Sequence, residues 1–85
     1  MSQVIVTFKV MPADTNVNLD NLEKEIKALI NPERISREPI AFGLVALNII
    51  VFVEDEGGQL EAVENKLNSI KGVNGFEVTG ITRTL

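Results

Sequence analysis

Cysteine and histidine are both absent from this chain of 85 residues, and so are tryptophan and tyrosine. The protein therefore has no disulfide, no thiolate nucleophile, none of the usual ligands of structural zinc, and no side chain that normally exchanges protons near neutral pH. Its serines and threonines lack a histidine base, and no lysine stands at an evident activating spacing from any of them. These absences predict that the protein is not an enzyme.

Positive charge is also scarce, because 8 basic residues face 12 acidic ones and the net charge is −4. A chain with this balance has no broad positive field with which to neutralise phosphates or an anionic lipid surface. We therefore expect no direct binding to nucleic acid or to membranes. The acidic run Glu54-Asp55-Glu56 lacks the alternating spacing of a calcium loop, so it favours a solvated turn, and no metal or cofactor is predicted.

Long apolar runs are missing too, since no stretch of roughly 18 uncharged apolar residues occurs. The N-terminus has no basic segment ahead of its first apolar residues, as a secretory signal would have. The length suits one hydrophobic core without a second lobe. We expect residues 1–85 to form a single domain of a soluble, cytoplasmic protein.

The apolar pattern alternates between strand and helix periods along the chain. Apolar residues at every second position predict a first strand ending near Met11-Pro12, and Asn18 predicts the N-cap of a helix that Asn31-Pro32 stops. Residues 34–40 form a second strand that belongs at a sheet edge, because Pro39 cannot donate to a ladder. Residues 44–53 are almost wholly apolar, which is typical of a central strand.

The second half of the chain repeats this order. Leu60, Val63, Leu67 and Ile70 lie at helical spacing, and Lys71-Gly72 is expected to end that helix. Residues 73–83 predict a last strand with a bulge at Gly80 that returns Ile81 to the core face. The order β-α-β-β-α-β predicts an α+β, ferredoxin-like sandwich in which two helices cover one face of a four-stranded antiparallel sheet, with the first and third strands in its centre.

Several known activities of this topology do not fit these residues. An acylphosphatase needs an early cation in its phosphate loop, and residues 10–18 contain none. An RNA-recognition domain stacks bases on aromatic residues of its central strands, but Phe8 and Phe76 follow the core parity here. Metal carriers of this fold need paired cysteines.

The segment Glu38-Pro-Ile-Ala-Phe-Gly-Leu44 is an apolar bend that contains an aromatic residue. Since loops normally expose polar side chains, Phe42 needs either a core to cover it or a partner to receive it. For Arg83 the corresponding alternatives are a solvated terminal charge and a contact residue. The residues by themselves leave both choices open.

The stretch from Glu38 to Leu47 resembles the Pro-x-aromatic-Gly-(Ile/Leu)-x-x-Leu signature of the translation elongation factor 1-beta family. The resemblance extends through Val51-Phe-Val-Glu-Asp-Glu56 to the end of the chain, and the length resembles that of the archaeal form, which consists of the exchange domain alone. It implies a guanine-nucleotide exchange factor that promotes GDP release and GTP reloading of elongation factor 1-alpha by disturbing the Mg and phosphate site of that GTPase.

The resemblance also implies where the partner is bound. The aromatic of the signature loop corresponds to Phe42, with Ala41 and Gly43 beside it, and the second contact corresponds to the C-terminal residues Arg83, Thr84 and Leu85. Eukaryotic members carry a penultimate lysine where this chain has Thr84, preceded by Arg83. A chain acting in this way is expected to be monomeric by itself.

A hypothesis from another class is a regulatory ligand-binding or oligomerisation module of the same topology. Ile50 and Phe52 alternate away from the presumed core face, so they would lie on the open face of the sheet and need some cover.

Overall fold

Four strands and two helices follow one another in the predicted β-α-β-β-α-β order. The structure is a computed structural model that describes residues 3–54 and 58–83. Strands β1 to β4 span Gln3–Pro12, Arg34–Pro39, Val45–Glu54 and Val73–Arg83, helices α1 and α2 span Leu19–Leu29 and Gln59–Ser69, and a 3-10 turn occupies Ala41–Gly43. The predicted ferredoxin-like α+β fold is confirmed.

The sheet is antiparallel, with its strands in the order β2-β3-β1-β4. The first and third strands are central, as right-handed crossovers predict. β2 lies at one edge, where Pro39 pairs with Val45 at the end of the ladder. An edge position suits a proline because one side of the strand makes no ladder hydrogen bonds.

Alternation along the two central strands separates a helix face from an open face of the sheet. On the helix face Val4, Val6 and Phe8 of β1 are buried opposite buried partners of β3, and leucine and isoleucine side chains of both helices complete the core. Phe8 meets Phe76 of β4 edge to face, with ring centroids 5.6 Å apart. The predicted core parity of both phenylalanines is therefore confirmed.

The helix ends follow mostly from local chemistry. The Asn18 side chain accepts a hydrogen bond of 3.1 Å from the backbone N–H of Asn21, which confirms the predicted N-cap. α1 stops where Asn31 turns left-handed with φ 53°, a conformation that asparagine tolerates. α2 ends at Ser69, earlier than the Lys71-Gly72 signal predicted, because Ile70 takes an extended conformation with its side chain in the core. Neither described helix is long and apolar enough to span a membrane.

Two ion pairs join the edge strand β2 to α1. The Arg37 guanidinium on the helix face donates to Asp20 at 2.6 Å and to Glu23 at 2.7 Å. The hydrogen bond that Arg37 donates to Glu23, followed by the one that it donates to Asp20, raises the pKa of Arg37 above its usual value. Because the Arg37 side chain is exposed, these pairs add little to stability.

The loop between α2 and β4 packs against the segment that follows β1. Between α2 and β4, the Gly72 carbonyl accepts a 2.8 Å hydrogen bond from the Ala13 N–H, and a Cβ there would come within 3.2 Å of Val17. A larger residue at Gly72 would therefore push this loop away from the segment that follows β1. In the predicted acidic turn before α2, Asp55, Glu56 and Gly57 lie outside the described residues.

Candidate functional site

The loop between β2 and β3 is a short closed hairpin connection. The Ile40 N–H donates to the Leu44 carbonyl at 2.8 Å, and the Leu44 N–H donates back to the Ala41 carbonyl at 3.3 Å. Ile40 and Leu44 are both half-buried, so they fix the base of the loop while Ala41, Phe42 and Gly43 are exposed. The sequence folds in this way because Pro39 ends the edge ladder and two apolar residues hold the chain on either side of the bend.

Phe42 lies at the tip of this loop with 94% of its surface exposed. The alternative in which its ring fills the core is therefore excluded. Its backbone is left-handed, with φ 63° and ψ 27°, and Gly43 follows with φ 76°. A bulky residue in this region is strained by roughly 1–3 kcal/mol, a cost that commonly accompanies functional sites.

The strain at Phe42 predicts a stability difference between two variants. We expect the free energy of unfolding of Phe42→Gly to be about 1 kcal/mol higher than that of Phe42→Ala, so that the glycine variant is the more stable. Glycine adopts a positive φ freely, whereas alanine keeps the steric conflict. The ring itself contributes almost nothing to stability because it is exposed. Denaturant unfolding followed by far-ultraviolet circular dichroism measures the difference.

Ala41→Gly is the matched control for this comparison. Ala41 is the preceding residue and does not have a positive φ, so glycine there should leave stability unchanged or lower it by roughly 0.5–1 kcal/mol. A Phe42→Gly protein that is less stable than Phe42→Ala would contradict the backbone conformation described above.

A polar cluster lies on the open face of the sheet near this loop. Glu38 of β2 accepts a hydrogen bond of 2.8 Å from the Asn48 amide and pairs with Lys9 at 3.6 Å. The hydrogen bond from Asn48, and secondly the charge of Lys9, hold the pKa of Glu38 below its usual value. The carboxylate therefore stays ionised and links strands β1, β2 and β3 beside the loop.

Arg83 lies at the opposite end of the sheet, where β4 ends. The register of β1 with β4 shifts so that Thr7 pairs with Gly80 while Phe8 pairs with Val78, which leaves Thr79 as the extra residue. The predicted bulge is thus present next to Gly80, and it brings Ile81 opposite Val6 on the helix face.

The same shift sets the position of Arg83. Arg83 pairs with Val4, and Val4 pairs on its other side with Val53 near the end of β3. The predicted contact residues Thr84 and Leu85 lie outside the described residues.

The structure does not bring the two predicted contact regions together. β3 separates them, and its ten residues at about 3.3 Å each span roughly 30 Å. Ala41, Phe42 and Gly43 form one exposed tip, while Arg83 belongs to the far end of the sheet. A partner that contacts both regions must therefore be large, which suits a protein better than a small ligand.

Sequence reasoning missed an apolar groove beside Arg83, between the end of the sheet and the start of α2. Ile81 of β4 and Leu60 of α2 line it. The bulge signal placed Ile81 on the helix face, but it could not reveal that the helix layer leaves Ile81 57% exposed there.

Comparison with known proteins gives consistent relationships over almost the whole chain. Residues 5–84 match the family described as the EF-1 guanine nucleotide exchange domain. Elongation factor 1-beta of Methanothermobacter thermautotrophicus is 48% identical over 90 aligned residues that cover all of both chains. Proteins of the same name from Pyrococcus abyssi and Methanoregula boonei are 43% and 40% identical, covering 94% and 96% of this chain and 93% and 98% of their own.

Proposed function

Because this chain belongs to the family of EF-1 guanine nucleotide exchange domains, we propose that it promotes the release of GDP from elongation factor 1-alpha and its replacement by GTP. In this role residues 1–85 act as one exchange domain and as a monomer in the cytoplasm. The chain makes and breaks no covalent bond and does not itself contact nucleic acid. Its partner surface comprises Ala41, Phe42 and Gly43 at one end and Arg83, Thr84 and Leu85 at the other.

Exchange of this kind is a coupling between two binding equilibria. A factor that prefers the nucleotide-free conformation of the GTPase lowers its affinity for GDP, and GDP lowers the affinity for the factor by the same ratio. Couplings of this type typically amount to about 1–3 kcal/mol, which corresponds to roughly 5- to 150-fold in affinity. Free GTP then refills the emptied site.

The observation that carries the proposal is the exposed ring of Phe42 on a strained backbone. An exposed aromatic side chain on a tightly closed loop loses little conformational freedom on binding and buries a large apolar area. Such residues commonly contribute much of the free energy of a protein interface. The loop thus has the physical properties of an anchor, and the family relationship identifies the GTPase it would bind.

The C-terminal end of the chain would disturb the Mg and phosphate site of the GTPase. Magnesium neutralises the diphosphate of bound GDP, so a factor that displaces the ion or distorts the loops around it removes much of what holds the nucleotide. The Arg83 guanidinium is a permanent cation at this end of the chain, and its planar fork binds oxyanions in a geometry that a lysine ammonium does not reproduce. We assign to Arg83 and the two following residues the disturbance of the Mg and phosphate site.

A second candidate function is an oligomerisation or ligand-binding module that uses the open face of the sheet. The observation that favours it is the pairing of Phe52, which is 45% exposed, with Ile5 on this face. Multi-angle light scattering after size-exclusion chromatography separates the alternatives. A monomer over the micromolar range supports the exchange factor, whereas a dimer abolished by Phe52→Glu supports the module.

Release of a fluorescent GDP analogue from elongation factor 1-alpha, followed by stopped flow, tests the proposed function directly. We expect the wild-type chain to accelerate release in a concentration-dependent and saturable way when unlabelled GDP is in excess. The reciprocal measurement is the affinity of the chain for the GTPase, which should fall as GDP is added. No acceleration by the wild-type chain at saturating concentrations would refute the proposal.

A further inference from the structure

A groove opens on the helix face of the sheet beside the first turn of α2. Val4 and Val6 of β1 and Val53 of β3 form part of its lining, and all three are core residues. Leu60 of α2 and Ile81 of β4 also line it. The groove has a volume of about 300 Å³.

Ile81 makes this groove unusual for its position in the fold. It lies opposite buried Val6 on the helix face, yet more than half of its surface is exposed. Before the bulge, Phe76 and Val78 on the same strand are packed against the core. The helices therefore cover the helix face of β4 up to the bulge and leave Ile81, beyond the bulge, open to an incoming group.

The mouth of the groove carries charges of both signs, from Glu54 at the end of β3 and Arg83 at the end of β4. Gln59 closes one side, because its side-chain Oε1 accepts a 2.8 Å hydrogen bond from the Glu54 N–H. This bond joins the end of β3 to the first turn of α2. The groove is thus an apolar recess with a polar margin and a wall fixed by both strand and helix.

We infer that this groove is a docking site for one large apolar side chain of the GTPase partner, an inference that rests on the proposed function. Arg83 belongs both to the groove and to the C-terminal contact region, so a partner that reaches the end of β4 also reaches Ile81 and Leu60. The groove extends that contact onto the helix face. The occupant is a leucine, isoleucine, methionine or phenylalanine side chain that projects from the partner surface.

The size of the groove favours a side chain over a small molecule. An apolar cavity of roughly 150 Å³ accepts a benzene molecule, so twice that volume in an open groove accommodates a leucine or phenylalanine side chain. Pockets for drug-sized ligands usually have volumes of about 300–1,000 Å³, so this groove lies at the lower limit of that range. Gln59 here already uses its carbonyl oxygen on the Glu54 backbone.

Filling the groove tests the inference, and the chain supplies a matched pair of sites. Ile81 faces the groove, whereas the next residue, Thr82, pairs with Ile5 on the open face of the same strand. Both are exposed, and tryptophan is well tolerated in strands. Because the natural chain has no tryptophan, the emission of the introduced indole reports whether it lies in an apolar recess.

We expect Ile81→Trp to raise the concentration needed for half-maximal GDP release by roughly tenfold or more, the amount that corresponds to losing the burial of one apolar side chain. Thr82→Trp should act as the wild type does, and only the indole at position 81 should show blue-shifted emission. Ile81→Gln is a second variant that removes apolar surface without adding bulk, and it should also weaken the response.

Other results would overturn the inference without refuting the proposed function. If the wild type accelerates GDP release and Ile81→Trp matches it, the groove is not a partner contact. If Ile81→Trp and Thr82→Trp weakened GDP release equally, the loss would come from a bulky residue on either face at the end of β4, and not from filling the groove. A wild-type dimer abolished by Ile81→Trp would assign the groove to a second copy. A chain ending at Arg83 could increase the fluorescence of 8-anilinonaphthalene-1-sulfonate relative to the full chain. If Ile81→Trp removed that increase, the occupant of the groove would be the chain's own terminal residues, Thr84 and Leu85.

Discussion

Phe42→Ala is expected to raise the concentration of the chain needed for half-maximal GDP release by about 30-fold, which corresponds to about 2 kcal/mol of binding free energy. The physical reason is that alanine removes an exposed aromatic surface from a loop whose backbone already holds it outward. The ring makes little contact within the domain, so its loss should not change the free energy of unfolding. Stopped-flow release of fluorescent GDP over a range of chain concentrations measures the effect.

Phe52→Ala provides the matched control for Phe42→Ala. It removes the same side chain from another partly exposed site, on the open face of the sheet. We expect its exchange activity to remain close to that of the wild type. If Phe42→Ala kept full activity and Phe52→Ala lost it, the partner would bind the open face and the proposed role of the loop would be refuted.

A chain ending at Thr82 is expected to lower the maximal rate of GDP release by roughly tenfold or more, the scale of a typical coupling free energy. The shortened chain retains the Phe42 loop about 30 Å away, so it should still bind the GTPase. It lacks the segment assigned to the Mg and phosphate site. The defect should therefore appear in the rate at saturation more than in the half-saturating concentration.

Two further variants separate the contribution of the Arg83 charge to GDP release from that of the last two residues. Arg83→Gln removes the cation but keeps the chain length, and ending the chain after Arg83 keeps the cation but removes Thr84 and Leu85. If charge is the active feature, only the first should lower the saturated rate, and Arg83→Lys should partly restore it. If none of these changes affected the rate of GDP release at saturation, the loop with Ala41, Phe42 and Gly43 would account for the whole of exchange.

Much of the fold could be predicted because its signals are local. Alternation in β1, the cap at Asn18 and the stop at Asn31 each depend on residues within one or two turns of the chain. Pro39, in a short and charged segment, placed β2 at an edge, because a proline lacks the donor that a central strand needs. The end of α2 was predicted less well, since Ile70 is drawn into the core by contacts from distant strands.

The site could be predicted only in part. The family resemblance identified Phe42 and Arg83 as candidates, but composition could not decide whether the ring of Phe42 fills the core or faces solvent. That choice depends on whether the sheet and helices leave room beneath the loop, and on the left-handed backbone that turns the ring outward. The groove at Ile81 escaped sequence reasoning because it exists only where β4, β1 and α2 leave a gap.

The amino-acid sequence alone determined the order of the elements, the absence of thiol and imidazole chemistry, and the loop residues that resemble an exchange-factor signature. These properties follow from side-chain chemistry and from periodicity over short distances. The tertiary structure decided that Phe42 is exposed and that it lies at the opposite end of the sheet from Arg83. Exposure and separation depend on strand pairing between distant residues, which no local pattern encodes.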